Sequence, residues 1–191
     1  SSDVCSSDLE QWATIAVQGP RARDILAPLV EGIDLSREAF PHMAVREGRV
    51  AGARARLFRV SFTGELGFEV NVPAGEGLAA WEAIWEQARR HDAVAYGTEA
   101  MHVLRAEKGY VIVGQETDGT VVPDDLGLGW AIGKAKRDFV GKRSLSRPDI
   151  VAPGRRQLVG LLTRDGRTLL DEGAQLVATP DPAPEIGRAH V

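Results

Sequence analysis

Three observations predict an α+β fold for this chain: two runs that alternate as strands around a glycine-marked turn, two stretches with apolar residues at helical spacing, and a strand–Gly-Pro–helix unit ahead of both. With 191 residues and 43% hydrophobic content, the chain is long enough to bury a real core.

The elements follow in chain order. "WATIAVQGPRARDILAPL" reads as a strand, a break at Gly19 and Pro20, and a helix with proline at its first position, where a missing N–H costs nothing. "RLFRVSFT" and "GFEVNV" alternate around glycines 64 and 67 and predict a hairpin. From Gly77 to Arg90, Leu78, Trp81, Ile84, Trp85 and Ala88 recur at helical spacing, which predicts an amphipathic helix lying on the sheet. A second helix is expected from Thr98 as N-cap, with Ala100, Met101, Val103 and Leu104 on its buried side and Lys108–Gly109 at its stop. "YVIVG" reads as a short strand, and the glycine-rich "DGTVVPDDLGLGWAIG" as a long shaped loop. "FVGKRSL" looks like a short helix start. From Arg155, "RQLVGLLT" and "GAQLVA" suggest small antiparallel strands of a second unit reached through Ala152, Pro153 and Gly154, and "TPDPAP" a loop.

Composition excludes several function classes. A net charge of −4 with scattered arginines gives neither a nucleic-acid stripe nor a basic membrane surface. No apolar run approaches the roughly 20 residues a bilayer span needs, and no leader pattern opens the chain, so a cytoplasmic protein acting on a small molecule is expected. Residues 1–9 ("SSDVCSSDL") and 186–191 ("IGRAHV") resemble translated sequencing adapters and are set aside, Cys5 with them. The remaining residues, 10–185, hold no cysteine.

The familiar constellations are missing: there is no G-x-S-x-G, H-E-x-x-H, cysteine pair or Walker loop. "GLGWAIG" departs from the dinucleotide fingerprint, His42, His91 and His102 suggest no ligand set, and Asp124 and Asp125 after Pro123 fit a turn or cap. No metal site is expected. The odd residue is Glu69, a carboxylate inside a strand between Phe68 and Val70. A four-residue hairpin loop would put Thr63 opposite Phe68 and Phe62 opposite Glu69, with Val60 and Asn71 on the same face. Two arrangements suit the glutamate. It is exposed and paired with Arg59 or another arginine, or it accepts two N–H donors from a ligand such as an aminopyrimidine edge, with Phe62 packed on the flat ring.

"IAVQGPRARDIL", "SFTGELGFEV", "LRAEKGYVIVG", "PDDLGLGW" and "DFVGKRSL" together resemble, in order, the signatures of the aminomethyltransferase (glycine-cleavage T-protein) superfamily of tetrahydrofolate-binding domains, over nearly all of residues 12–180. Within that superfamily, "YGTEAMHVLRAEKG" and "VGQETDGTVVPDDLGLGW" are most similar to the C-terminal folate domain of sarcosine oxidase α subunits. The resemblance implies a folate-binding domain over 10–150 with a ferredoxin-like α/β sandwich part, then the truncated start of a C-terminal β-barrel over 155–185.

It also implies roles. The glutamate that holds the pterin edge falls on Glu69, and the ring position seven residues earlier, tyrosine in T-proteins, is Phe62. The arginine that meets the folate tail falls on Met101, a departure from the T-protein pattern, while Arg105 is kept. The family's catalytic aspartate lies upstream of "IAVQGP", so the catalytic residue is unknown here. The implied activity is capture, as 5,10-methylenetetrahydrofolate, of the one-carbon unit from oxidative demethylation of sarcosine. The parent would be an oxidoreductase acting on CH–NH donors with oxygen as acceptor, and this portion alone would be inactive. FAD, FMN and NAD would sit elsewhere in the complex, a flavin-bearing β subunit and γ and δ subunits completing a heterotetramer. A glycine-cleavage aminomethyltransferase, a dimethylglycine oxidase or dehydrogenase folate domain, and a non-catalytic folate-binding module are the alternatives.

Overall fold

Period-two burial makes β5 (Gly67–Pro73) the centre of the core: Phe68, Val70 and Val72 are fully buried on one face, while Glu69 and Asn71 point to the other. The computed structural model describes residues 8–171, 173–177 and 187–188. Two compact units divide the chain, residues 1–108 and 109–191.

In the first unit, β1 (Trp12–Gln18), β2 (Val30–Glu31), β3 (Val45–Val50), β4 (Ala53–Phe58) and β5 form one antiparallel sheet in the order β1-β5-β4-β3-β2. One face carries Ile15, Val17, Ala55, Leu57, Phe68, Val70 and Val72, and α1 (Ala22–Leu26) and α2 (Gly77–Arg89) cover it with Ala22, Ile25, Leu26, Ala80, Ile84 and Ala88. Burial of this kind is the main stabilising term, at roughly 25 cal/mol per Å2 of apolar surface. The α+β expectation holds, as do the first strand and the amphipathic helix. The first helix begins at Ala22, two residues after Pro20, which lies in the preceding turn.

The hairpin register differs from the expectation. Phe58, not Phe62, stands opposite Glu69, with Leu57 opposite Val70, and residues 59–66 form the connection. The cause lies at Arg59. Its backbone N–H donates to Ala44 O (2.9 Å) and its carbonyl accepts from Met43 N (2.9 Å), so the chain stays bound to the β3 side. On the other side the Arg59 guanidinium, rather than a backbone N–H, donates to the Gly67 carbonyl (3.1 Å). The β4–β5 ladder therefore stops at Phe58.

α3 (Thr98–Glu107) starts after Gly97, which holds the cap position expected for Thr98. Its buried side is narrower than the sequence suggests: Arg105 is buried, Met101 and Leu104 are half-buried, but Ala100 and Val103 are exposed.

The second unit holds few regular elements among the described residues. "YVIVG" is not a strand; Ile112 N donates to Glu116 Oε2 (2.6 Å) and Gly114 N to Thr117 Oγ1 (2.8 Å), so side chains four and three residues on bend it into turns. The glycine-rich stretch is a shaped loop with 3-10 turns at Pro123–Leu126 and Gly129–Ala131, and "FVGKRSL" leads into another at Lys142–Ser146, ahead of α4 (Pro148–Val151). "RQLVGLLT" forms no strand either, because Leu158 N donates to Asp125 O and the Arg155 and Gln157 side chains reach the Asp125 carboxylate. From "GAQLVA" only β6 (Gln175–Leu176) emerges, paired with β7 (Gly187–Arg188). "TPDPAP", Cys5 and most of the two terminal segments lie outside the described residues.

Candidate functional site

The face of the sheet away from the helices is built in rows. Ala16, Glu69, Phe58 and Val45 stand side by side, and next to them Thr14, Asn71, Arg56 and Glu47. Thr14 donates to Asn71 Oδ1 (2.6 Å), and Arg56 donates to Glu47 (2.9 Å) while stacking over Trp12 at 4.8 Å. The row of Glu69 is different. The residue is half-buried and its carboxylate, among the described residues, makes neither a hydrogen bond nor an ion pair.

The expected alternative partner, Arg59, is turned elsewhere. Its guanidinium holds the Gly67 carbonyl and lies 5.5 Å from the Phe68 ring centroid. Burial, and then the charge of Arg23, hold Arg59 below the usual arginine range. A carboxylate whose acceptor positions are unused suits a ligand that brings N–H groups.

Beside Glu69 the sheet carries small residues. Ala16 is its direct neighbour, and Gly67 opposes Gln18 one step along. Gln18 lies across Gly67 so closely that a Cβ there would sit 2.0 Å from Gln18 Oε1. Phe62 lies in loop 59–66, whose flanking residues are tied to this corner. Ser61 Oγ (3.4 Å) and Thr63 Oγ1 (3.3 Å) both donate to Gln18 Oε1, and Gly19 N donates to the Leu66 carbonyl (2.8 Å). Thr63 is buried, and Phe62 between the two hydroxyls is half-buried. Gly64, at φ +81°, packs on the Lys108 stem, where a side chain would meet Cγ at 2.1 Å, and Lys108 pairs with Glu65 at 3.4 Å. The loop is thus tied to β1 and to the end of α3.

Phe62 and Glu69 therefore do not face each other across strands, as the four-residue turn implied. Phe62 belongs to the loop that leads into β5 two residues before Glu69. Met101 sits half-buried on α3 in the same unit. The sequence reading missed Tyr96, which precedes α3; burial and, after it, the Glu69 charge raise its phenol above the ordinary value. Its one sequence signal is a lone tyrosine in an otherwise small and polar stretch, "DAVAYGTEA".

Asp125, in the second unit, is a structural acid. Its carboxylate caps Val122 N (3.0 Å) and receives Arg155 Nε (2.9 Å) and Nη2, so the turn-or-cap expectation holds. Arg155 also donates to the Thr120 and Asp149 carbonyls (both 2.9 Å). "GLGWAIG" opens no helix; it forms a 3-10 turn whose Gly129 leaves room for the Asp124 carboxylate. Among the described residues no helix is long and apolar enough to cross a membrane.

Residues 2–136 match the GCVT N-terminal domain family. Among curated proteins, the chain is 50% identical over 95% of its length to a sarcosine oxidase subunit alpha of Corynebacterium sp. (strain U-96), of which it covers 19%. It is 42% identical over 91% of its length to the sarcosine oxidase subunit alpha of Rhizobium meliloti (strain 1021), covering 18% of that protein. It is also 36% identical over 93% of its length to an aminomethyltransferase of Saccharopolyspora erythraea, covering 50%. The chain thus spans less than a fifth of the sarcosine oxidase subunits it matches and about half of the aminomethyltransferase.

Proposed function

This chain belongs to the GCVT N-terminal domain family, and on that premise we propose that it is the tetrahydrofolate-binding portion of a sarcosine oxidase α subunit. The single observation that carries the reading is Glu69, a half-buried residue on the sheet face opposite α1 and α2 whose carboxylate has no donor among the described residues. An aminopyrimidine edge offers two parallel N–H donors in the bidentate geometry a carboxylate accepts. Phe62 supplies a flat apolar partner for the ring without the hydroxyl of a tyrosine. Met101 stands where the resemblance implies a tail-binding arginine, so the folate tail would be held by other means.

In the parent reaction, sarcosine, tetrahydrofolate and oxygen would give glycine, 5,10-methylenetetrahydrofolate and peroxide. The contribution of this domain is to orient folate and shield the one-carbon unit; no catalytic acid or base is assigned to it. The flavins and NAD belong to other parts of a cytoplasmic heterotetramer, with β, γ and δ partners. On this reading residues 10–150 would be the folate domain and 155–185 the start of a β-barrel domain. The higher identity to sarcosine oxidase subunits, 50% against 36% for the aminomethyltransferase, favours this reading over glycine cleavage.

Glu69→Gln in the full-length parent protein is expected to weaken tetrahydrofolate binding by about 1–3 kcal/mol, because the amide turns one acceptor into a donor facing a donor. Titration calorimetry measures it. Unchanged affinity would remove Glu69 from the site.

A further inference from the structure

We propose that Gln18 is a positioning residue for this site: through the hydroxyls of Ser61 and Thr63 it fixes loop 59–66, the segment that carries Phe62 and leads into β5 and Glu69. The inference rests on the folate reading for its effect on affinity, and on geometry alone for its effect on the loop.

Register and hydrogen bonds carry it. Gln18 is the last residue of β1 and opposes Gly67, so its side chain rises from the same face as Glu69, one step along from the Ala16–Glu69 pair. Its amide end meets a hydroxyl on either side of Phe62, Ser61 Oγ at 3.4 Å and Thr63 Oγ1 at 3.3 Å. Either orientation of the amide bonds both hydroxyls, since a hydroxyl both donates and accepts. The absence of a side chain at Gly67 lets Gln18 lie flat across the strand. Thr63 in turn receives the Glu65 N–H at 3.5 Å, which passes the restraint on to the tip of the loop. Gln18 thereby ties a loop that has left the β4–β5 ladder to a strand that has not. A ring held on a mobile loop would bind a flat ligand only after the loop is ordered, at a cost in affinity. An amide anchored on β1 removes that cost beforehand.

The test uses Gln18→Ala, Ser61→Ala and Thr63→Val in the full-length parent protein, with tetrahydrofolate as the probe. Gln18→Ala is expected to weaken binding about tenfold and to speed amide hydrogen exchange in a peptide covering 61–66, while exchange in the α2 peptide stays unchanged. The effects of Gln18→Ala and of the paired hydroxyl variants should be far less than additive, because both remove one linkage. Gln18→Glu, which keeps the acceptor, should restore most of the protection. Unchanged exchange in 61–66, or full additivity, would overturn the role of Gln18. Should the unaltered protein fail to bind tetrahydrofolate, the folate reading falls, and the exchange data still decide whether Gln18 holds the loop. The Ser61→Ala variant, at a half-buried position, keeps the test open if Gln18→Ala does not fold.

Discussion

The two units of this chain are held by different physics. Residues up to 108 have a five-stranded sheet with two helices on one face, and every fully buried apolar side chain among the described residues lies between Ile15 and Ala88. Beyond residue 108 no apolar side chain among the described residues is buried; the largest tertiary tie is the Asp125–Arg155 pair, supported by local side-chain bonds in the loops. The comparison teaches that the first unit is specified by hydrophobic period and the second by single polar contacts, so the two should fail in different ways.

The largest effect is expected in the first unit. Phe68 is fully buried, packs 5.6 Å from Phe40 and carries the guanidiniums of Arg23 and Arg59 over its ring. Phe68→Ala should cost about 3–5 kcal/mol, with loss of the main thermal transition by circular dichroism. A loss below about 1 kcal/mol would show that the sheet core does not carry the stability of this unit.

This difference also decides what could be read from the sequence. β1, β5 and α2 were legible because alternation and 3.6-residue spacing are local signals. The register of β4 against β5 was not, because it depends on a guanidinium reaching a carbonyl eight residues away at Gly67. Glu69 stood out because a carboxylate inside an apolar strand breaks the pattern. Gln18 did not, since a polar residue at a strand end is ordinary, and only the fold brings it to Ser61 and Thr63, more than 40 residues on. In the second unit the loop was legible as a loop, but a pair separated by 30 residues has no local signature. "YVIVG" and "RQLVGLLT" carry strand propensity that turn-forming side chains and the Asp125 contacts override.

The next effect belongs to the second unit. Asp125 is buried and Arg155 mostly so, and removing the carboxylate takes away the guanidinium's hydrogen-bonded partner and leaves it only the charge of Asp149 nearby. Asp125→Ala should cost about 3 kcal/mol within this unit while leaving the melt of the first unit in place. Limited proteolysis would show it as faster cleavage beyond residue 108. Acid should act in the same way. Hydrogen bonds from Arg155 hold the Asp125 carboxyl below its ordinary value, so the pair stabilises the fold above the unfolded carboxylate pKa, near about 4, and the contribution is lost as pH falls through the lower folded value. Cleavage beyond residue 108 that is no faster at pH 3 than at pH 7, with an acid-tolerant protease, would contradict the brace.

The smallest effect sharpens the contrast most. Leu162 is 90% exposed, whereas Leu57 on β4 is fully buried. If apolar burial holds only the first unit together, Leu162→Ser should change stability by less than about 0.5 kcal/mol, the ordinary range for a surface site. The same residue type at position 57 would cost several times more, because its methyl groups leave a cavity. Leu158, Val159, Leu161, Leu162 and Leu169 are all exposed to some degree, so one substitution samples a whole apolar stretch. A chemical-denaturation midpoint for Leu162→Ser that drops by more than about 1 kcal/mol in equivalent stability would mean that this stretch buries its leucines after all, and the second unit would then be held by the same physics as the first.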